Sequence, residues 1–214
     1  MANKKSLSPT IAEDGLLPEA PDSKAFHDFV TEEMKGLYWY GQQQAKWYAR
    51  LQKAVQHPSF IKLLEEQAIA VNPQAEKIEQ VFELLGEKAK GKKSPAFETV
   101  IEESTRLMAE MKKRSLLRDT LILLILQKAV LLQLASCDVA ILASGKTGNE
   151  EIIHLLEENR KASMASTDQL AALAEELKTV NEAAASSPAG KKADSPEVAA
   201  VYDSINLTGK TTPQ

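Results

Sequence analysis

The sequence predicts an all-α protein: a four-helix bundle with a short extra helix in its crossover and disordered tails. Three observations carry this. Apolar residues recur at spacings of three and four through four long segments, the period of a helix with one buried face. No segment alternates apolar and polar residues over a useful length, so strands are not expected. Proline and glycine fall between the periodic segments, where helices start and stop.

Residues 1–23 combine proline, serine and glycine with little periodicity and read as a flexible arm. Lys4 and Lys5 are not followed by an apolar run, so the arm does not read as a signal peptide, and the cytoplasm is the expected compartment. The bundle is assigned to residues 24–183. Its first helix is expected over 23–56, with Ser23 as N-cap and a stripe through Phe26, Val30, Leu37, Gly41, Ala45, Tyr48, Leu51 and Val55. His57-Pro58 ends it, because the residue before proline disfavours the helical region.

The second helix is expected over 58–85, opening on Pro58 and closing at Gly86. Its stripe is Phe60, Leu64, Gln67, Ala70, Gln74, Ile78, Val81 and Leu85. Pro73 deletes one backbone donor and crowds the carbonyl of Ile69. The stripe resumes in phase, which predicts a kink and not an end. EKAKGKKS at 87–94 lacks the glycine spacing of a phosphate loop and reads as a solvated connection. A shorter helix follows over 95–113, so residues 86–115 form the crossover of the bundle.

The third long helix, 116–144, is apolar nearly all round, as the most buried helix of a bundle would be. Residues 120–143 are also long enough to span a bilayer. Gln127, Lys128, Gln133 and Asp138 interrupt them, and a central charge is costly in lipid, so no membrane span is expected. The fourth helix is expected over 149–180, capped by Asn149 with Glu150 and Glu151 in its first turn. Its stripe is Ile152, Leu156, Asn159, Ser163, Ser166, Leu170, Leu173 and Leu177. Residues 184–214 read as a disordered tail, with Val198, Val201, Tyr202 and Ile205 at weak helical spacing.

The net charge of −4 gives a nucleic-acid role no electrostatic support. The single cysteine, Cys137, rules out an internal disulfide and reads as a small buried apolar residue. Tyr38, Trp39, Tyr40, Trp47 and Tyr48 crowd one helix of a chain that is 5% aromatic. They are read as core filling, with Trp39, Tyr40 and Trp47 as the residues of a homodimer contact, since aromatics are enriched at interfaces. Glu151 and His154 form a Glu-x-x-His pair near a helix start, without the second copy that a bundle metal site needs. No nucleophile–base arrangement stands out around His27, His57 or His154, so no catalytic residue is assigned.

Val81 to Ser104, VFELLGEKAKGKKSPAFETVIEES, resembles the ferritin-like family typified by the bacterial stress proteins YciE and YciF. That family has a Leu-Gly helix end, a Lys/Gly loop and a Pro-Ala-Met-Glu segment followed by Ile-Glu-Glu; here Phe97 replaces the Met. Leu37-Tyr38, Gln127-Lys128 and Leu155-Leu156-Glu157-Glu158 resemble its other helices, and the likeness spans about residues 24–178. The resemblance implies a ferritin-like fold, a stress association, and a two-metal carboxylate site inside the bundle.

This sequence departs from the ligand types of that site. Gly41 stands where the family carries Glu on its first helix. Ala70 and Gln74 stand on the inner stripe of the second, Val130 and Gln133 bracket the Glu-His-Tyr-Glu position of the third, and Ala162 and Ser163 replace paired Glu on the fourth. Two divalent ions among neutral groups would carry uncompensated charge in a low-dielectric core. Neutral Gln, Ser and Asn suit a metal-free bundle, with Gly41 and Ala70 allowing close approach or Trp39, Tyr40 and Trp47 filling vacated space. No cofactor is therefore expected. The rival reading, an iron or manganese pair with oxidase or catalase-like chemistry, needs a shifted site drawn from Glu66, Glu76, Glu103, Asp138, Glu158 or His154. A third reading, a partner-binding module, would use the aromatic cluster or the C-terminal tail.

Overall fold

A computed structural model describes residues 23–111 and 113–185. The expected N-terminal arm and the Val198–Ile205 stripe of the tail lie outside them. The chain forms α1 (Ser23–Ala54), α2 (Pro58–Leu84), α3 (Pro95–Glu110), α4 (Leu116–Thr147) and α5 (Glu150–Ala185). All elements among the described residues are helical. α5 continues past the expected end at 180 and into the first residues assigned to the tail.

The helix ends follow local chemistry. α2 closes in a glycine-terminated motif: Gly86 sits at φ +70°, Glu87 N–H donates to Phe82 C=O (2.9 Å) and Gly86 N–H to Glu83 C=O (3.0 Å). This pairing satisfies carbonyls that the helix leaves open, and only glycine enters that backbone region without strain. Gly148, at φ +73°, ends α4, and the next residue, Asn149, caps α5 by accepting from Ile152 N–H at 3.1 Å. Ser115 caps α4 by accepting from Arg118 N–H at 3.2 Å. α2 runs through Pro73 without a break. Pro73 and Ile69 both lie on the solvent side, where water can take the hydrogen bond that proline removes.

α1 packs on α2 and α4, and α5 packs on the same two helices, giving a square four-helix bundle. α1–α2 and α4–α5 are antiparallel hairpins. The crossover makes α2 and α4 parallel, and α3 lies outside the square against α4 and α1. The expected α5 stripe is buried throughout, at Ile152, Leu156, Asn159, Ser163, Ser166, Leu170, Leu173 and Leu177, whereas Gln67, Ala70, Gln74 and Leu85 of the expected α2 stripe are half-buried.

Three expectations need correction. α4 is not simply the most buried helix: Leu124, Leu131 and Leu142 on its outer face are exposed, although the helix is long and apolar enough to cross a membrane. The inner edge of α1 runs through Met34, Tyr40, Gln44 and Trp47, with Gly41 half-buried and Ala45 exposed. The 87–94 segment is docked and not merely solvated. Lys92 N–H donates to Lys35 C=O at 3.0 Å, and a Cβ on Gly91 would lie 3.0 Å from Trp39 Cα.

Candidate functional site

The centre of the bundle, where facing helices would present inward ligands, holds a layer of amides and hydroxyls. Gln133 on α4 donates to Gln74 Oε1 on α2 at 3.1 Å. Asn159 on α5 donates to the Gln74 backbone carbonyl at 3.3 Å. Ser166 Oγ donates to Gln67 Oε1 at 3.0 Å, and at the bundle surface Gln67 Nε2 donates to Oε1 of the exposed Gln169 at 2.7 Å. Ser163 folds back onto Asn159 C=O at 3.1 Å. On α1, Gln44 donates to Tyr48 O–H at 3.0 Å, and Tyr40 lies beside that pair. Burial without charge partners pushes the Tyr48 hydroxyl up to about 12 and Tyr40 well above its ordinary range, so both phenols stay neutral.

The aromatic cluster of α1 adjoins this layer. Tyr40 stacks on Phe97 of α3, centroids 4.1 Å apart and planes at 11°. Trp47 stacks on Tyr48 at 5.5 Å and donates Nε1–H to Ser104 Oγ at 2.8 Å. Tyr40 and Trp47, expected at a dimer contact, are instead inside the core, 1% and 0% exposed. Trp39, the third residue of that expectation, is half-buried and packs against the core, with Gly91 of the crossover lying over its backbone. Gly41 does not mediate close helix approach, since a Cβ there would meet nothing within 4 Å.

The acids and histidine of the shifted-site reading are dispersed over the surface. Glu66 is half-exposed and faces Lys62 (3.6 Å). Asp138 is ion-paired with Arg160. His154 is largely exposed, 3.9 Å from Glu158, and Glu158 is itself held by Lys77 at 2.9 Å. Glu103 is held by Lys128 at 2.8 Å. Among the described residues, no three His, Cys, Asp or Glu side chains converge. Glu151 and His154 are exposed on the first turns of α5. Cys137 is buried, and desolvation lifts its thiol to about 12, far from a reactive thiolate.

One buried acid escapes a reading of the sequence. Asp119, in the first turns of α4, is fully buried and accepts from the backbone N–H groups of Gln56 (3.1 Å) and His57 (2.9 Å). It thus satisfies donors of the α1–α2 turn from a third helix. Burial raises its carboxyl above the usual aspartate range, against the pull of these donors and of Arg118. In sequence it is an ordinary acid near a helix start, and nothing local signals a distant backbone partner.

The profile of a domain of unknown function, DUF892, matches residues 25–185. The chain belongs to this family. Two solved structures share its fold. The stress protein YciF of E. coli is 22% identical, with a TM-score of 0.68, over 72% of this chain and 97% of that one. YcfI of Rhodopseudomonas palustris, described as a proposed structural protein, is 21% identical, with a TM-score of 0.65, over 71% of this chain and 96% of that one. No curated protein matches the sequence. The DUF892 fold here is therefore the ferritin-like bundle of the YciE/YciF type.

Within that fold the donor set at the centre does not fit the family's implied metal pair. Val130 is buried and apolar, Ala70 and Ala162 offer no ligand atom, Ser163 is spent on its own helix, and Gln74 and Gln133 bond each other. Oxygen-loving divalent ions need anionic oxygens to offset their charge, and amides and hydroxyls supply none.

Proposed function

We propose that this DUF892 chain is a metal-free, non-catalytic bundle with a structural, stress-associated role. The observation that carries the reading is that Gln133 pairs with the Gln74 side chain and Asn159 with the Gln74 backbone carbonyl across three helices, a neutral arrangement in which Asn159 Oδ1 is left without a partner among the described residues. A neutral hydrogen-bonded layer replaces electrostatic repulsion between carboxylates with pairing that needs no ion. The fold neighbours support the role in name alone: one is a stress protein and the other is described as structural. Thermal unfolding of the full chain with excess iron(II) or manganese(II), against the same chain in chelator, tests the reading. A ligand bound only by the folded state raises Tm by mass action. The expected result is coincident transitions. A metal-dependent rise in Tm of several degrees, abolished by chelator, would reject it.

A further inference from the structure

A buried guanidinium without an acceptor stands at one end of the bundle. Arg118, in the first turn of α4, is 7% exposed, and its Nε is sealed from water with no hydrogen-bond partner among the described residues. The adjacent acid does not answer it, because Asp119 spends its oxygens on the N–H groups of Gln56 and His57. Burial, then the like charge of Arg114, lowers the Arg118 pKa from its ordinary value, with only Asp119 pulling the other way. A buried cation with no counter-charge is costly, and an anion would remove that cost. We propose that Arg118, Arg114 and the opening turn of α4 form an oxyanion site that takes a carboxylate or a phosphate.

The donors converge for a structural reason. Side chains on a helix tilt toward its N-terminus, so the stem of Arg118 runs back over the first turn of α4. Ser115 Oγ takes the Arg118 backbone N–H, while the N–H groups of Leu116 and Leu117, ahead of it, precede the ladder of the helix. These N–H groups and the positive end of a 32-residue helix favour an anion. The planar fork of a guanidinium matches two oxygens of one carboxylate or phosphate. The entry is basic as well: the chain reads Lys112-Lys113-Arg114 before α4, and Lys113 and Arg114 are exposed. Two sources can supply the oxyanion. One is solution. The other is the chain's own Asp194, Glu197 and Asp203, which follow α5. The pairing of Asp138 with Arg160 sets the antiparallel register that brings residue 180 to the level of Arg118. Arg118 lies about 22 Å along α4 from Gln133 at 1.5 Å per residue, so failure of this site leaves the metal-free reading of the centre untouched.

Inorganic phosphate added to the full chain at constant ionic strength, with chloride as the balancing anion, tests the site. Phosphate stabilises most folds by exclusion from their surface, so the readout is local: the Nε–H proton resonance of Arg118, identified by its absence from Arg118→Met. The resonance should shift saturably. Arg114→Gln, a change at an exposed position, should weaken phosphate binding by about threefold, the scale of one exposed charge contact. The full-length variant Asp194→Asn/Glu197→Gln/Asp203→Asn separates the two sources, and its midpoint is expected near about 1 mM. A midpoint about tenfold lower than that of the unsubstituted chain would place the chain's own carboxylates in the site; equal midpoints would assign it to anions from solution. A resonance unmoved by phosphate in both chains, a shift that does not saturate, or binding indifferent to Arg114→Gln would overturn the proposal.

Discussion

Asp119 illustrates how one side chain ties three elements together. Its carboxylate closes two donors of the α1–α2 turn while standing on α4. Truncation would leave both part-buried N–H groups without this acceptor, at a cost of roughly 1–3 kcal/mol for an unsatisfied group. Asp119→Ala is thus expected to lower stability by about 3 kcal/mol in urea unfolding. Asp119→Asn keeps one acceptor oxygen, enough for His57 N–H, but turns its NH2 toward Gln56 N–H, so its cost should be about half that of Asp119→Ala. Equal costs for the two would show that the hydrogen bonds are not what the residue contributes. The aromatic residues carry a related lesson. Their density on one helix was legible, but the sequence could not say that Phe97, the departure from the family's Met, would receive Tyr40 as a stacking partner. That partner comes from the crossover helix, which periodicity alone does not orient.

At the scale of elements, most boundaries were legible because each rests on local chemistry: Pro58 and Pro95 at helix starts, Gly86 and Gly148 at ends, Asn149 as a cap. The 87–94 segment was not. Its lysines and glycines look solvated, yet Gly91 is there because the chain crosses the backbone of α1 at Trp39. Gly91→Ala would place a methyl 3.0 Å from Trp39 Cα and 3.1 Å from its Cβ, and such overpacking is expected to cost about 1–3 kcal/mol. Gly41→Ala meets nothing within 4 Å and should stabilise α1 by about 0.5–1 kcal/mol, the helix propensity difference. Opposite signs in the two variants, measured by denaturant midpoint, are the expected outcome; a shared sign would contradict the docked loop.

The same segment carries a pH dependence. Lys92 and Lys35 draw the Glu32 carboxyl down from 4.5 to about 2. Lys35 shares a helix with Glu32, so only the Lys92 part of this shift belongs to docking; it favours docking above the ordinary carboxyl pKa and is lost as pH falls through about 2. Amide exchange at Lys92 should therefore lose protection between about pH 4.5 and 2, and also at high salt, since the charges are exposed to screening. Glu32→Gln should lack both responses. Protection at Lys92 that ignores acid and salt would assign the docking to its backbone hydrogen bond alone.

For the whole molecule, the bundle was legible because four long stripes in one chain leave few other ways to bury them. The α5 stripe, with Asn159, Ser163 and Ser166 among leucines, already placed polar residues inside. The path of α1 was misjudged by one position: Gly41 and Ala45 were set inward, whereas Tyr40 and Gln44 take that edge. A wide apolar and aromatic surface on α1 allows either phase, and packing against α3 decides between them. The outer face of α4 was hidden for the opposite reason, since a helix apolar on all sides has no period from which to read its exposed side.

The neutral residues Gln74, Gln133 and Asn159 stand where the family resemblance implies a metal pair, and the metal content of the purified chain distinguishes the two. The purified chain is loaded with iron and manganese, desalted, and read by inductively coupled plasma mass spectrometry. Less than about a tenth of an equivalent per chain is expected, because no anionic oxygens offset the ions at the centre. Close to about two equivalents, the content of a paired site, would contradict it.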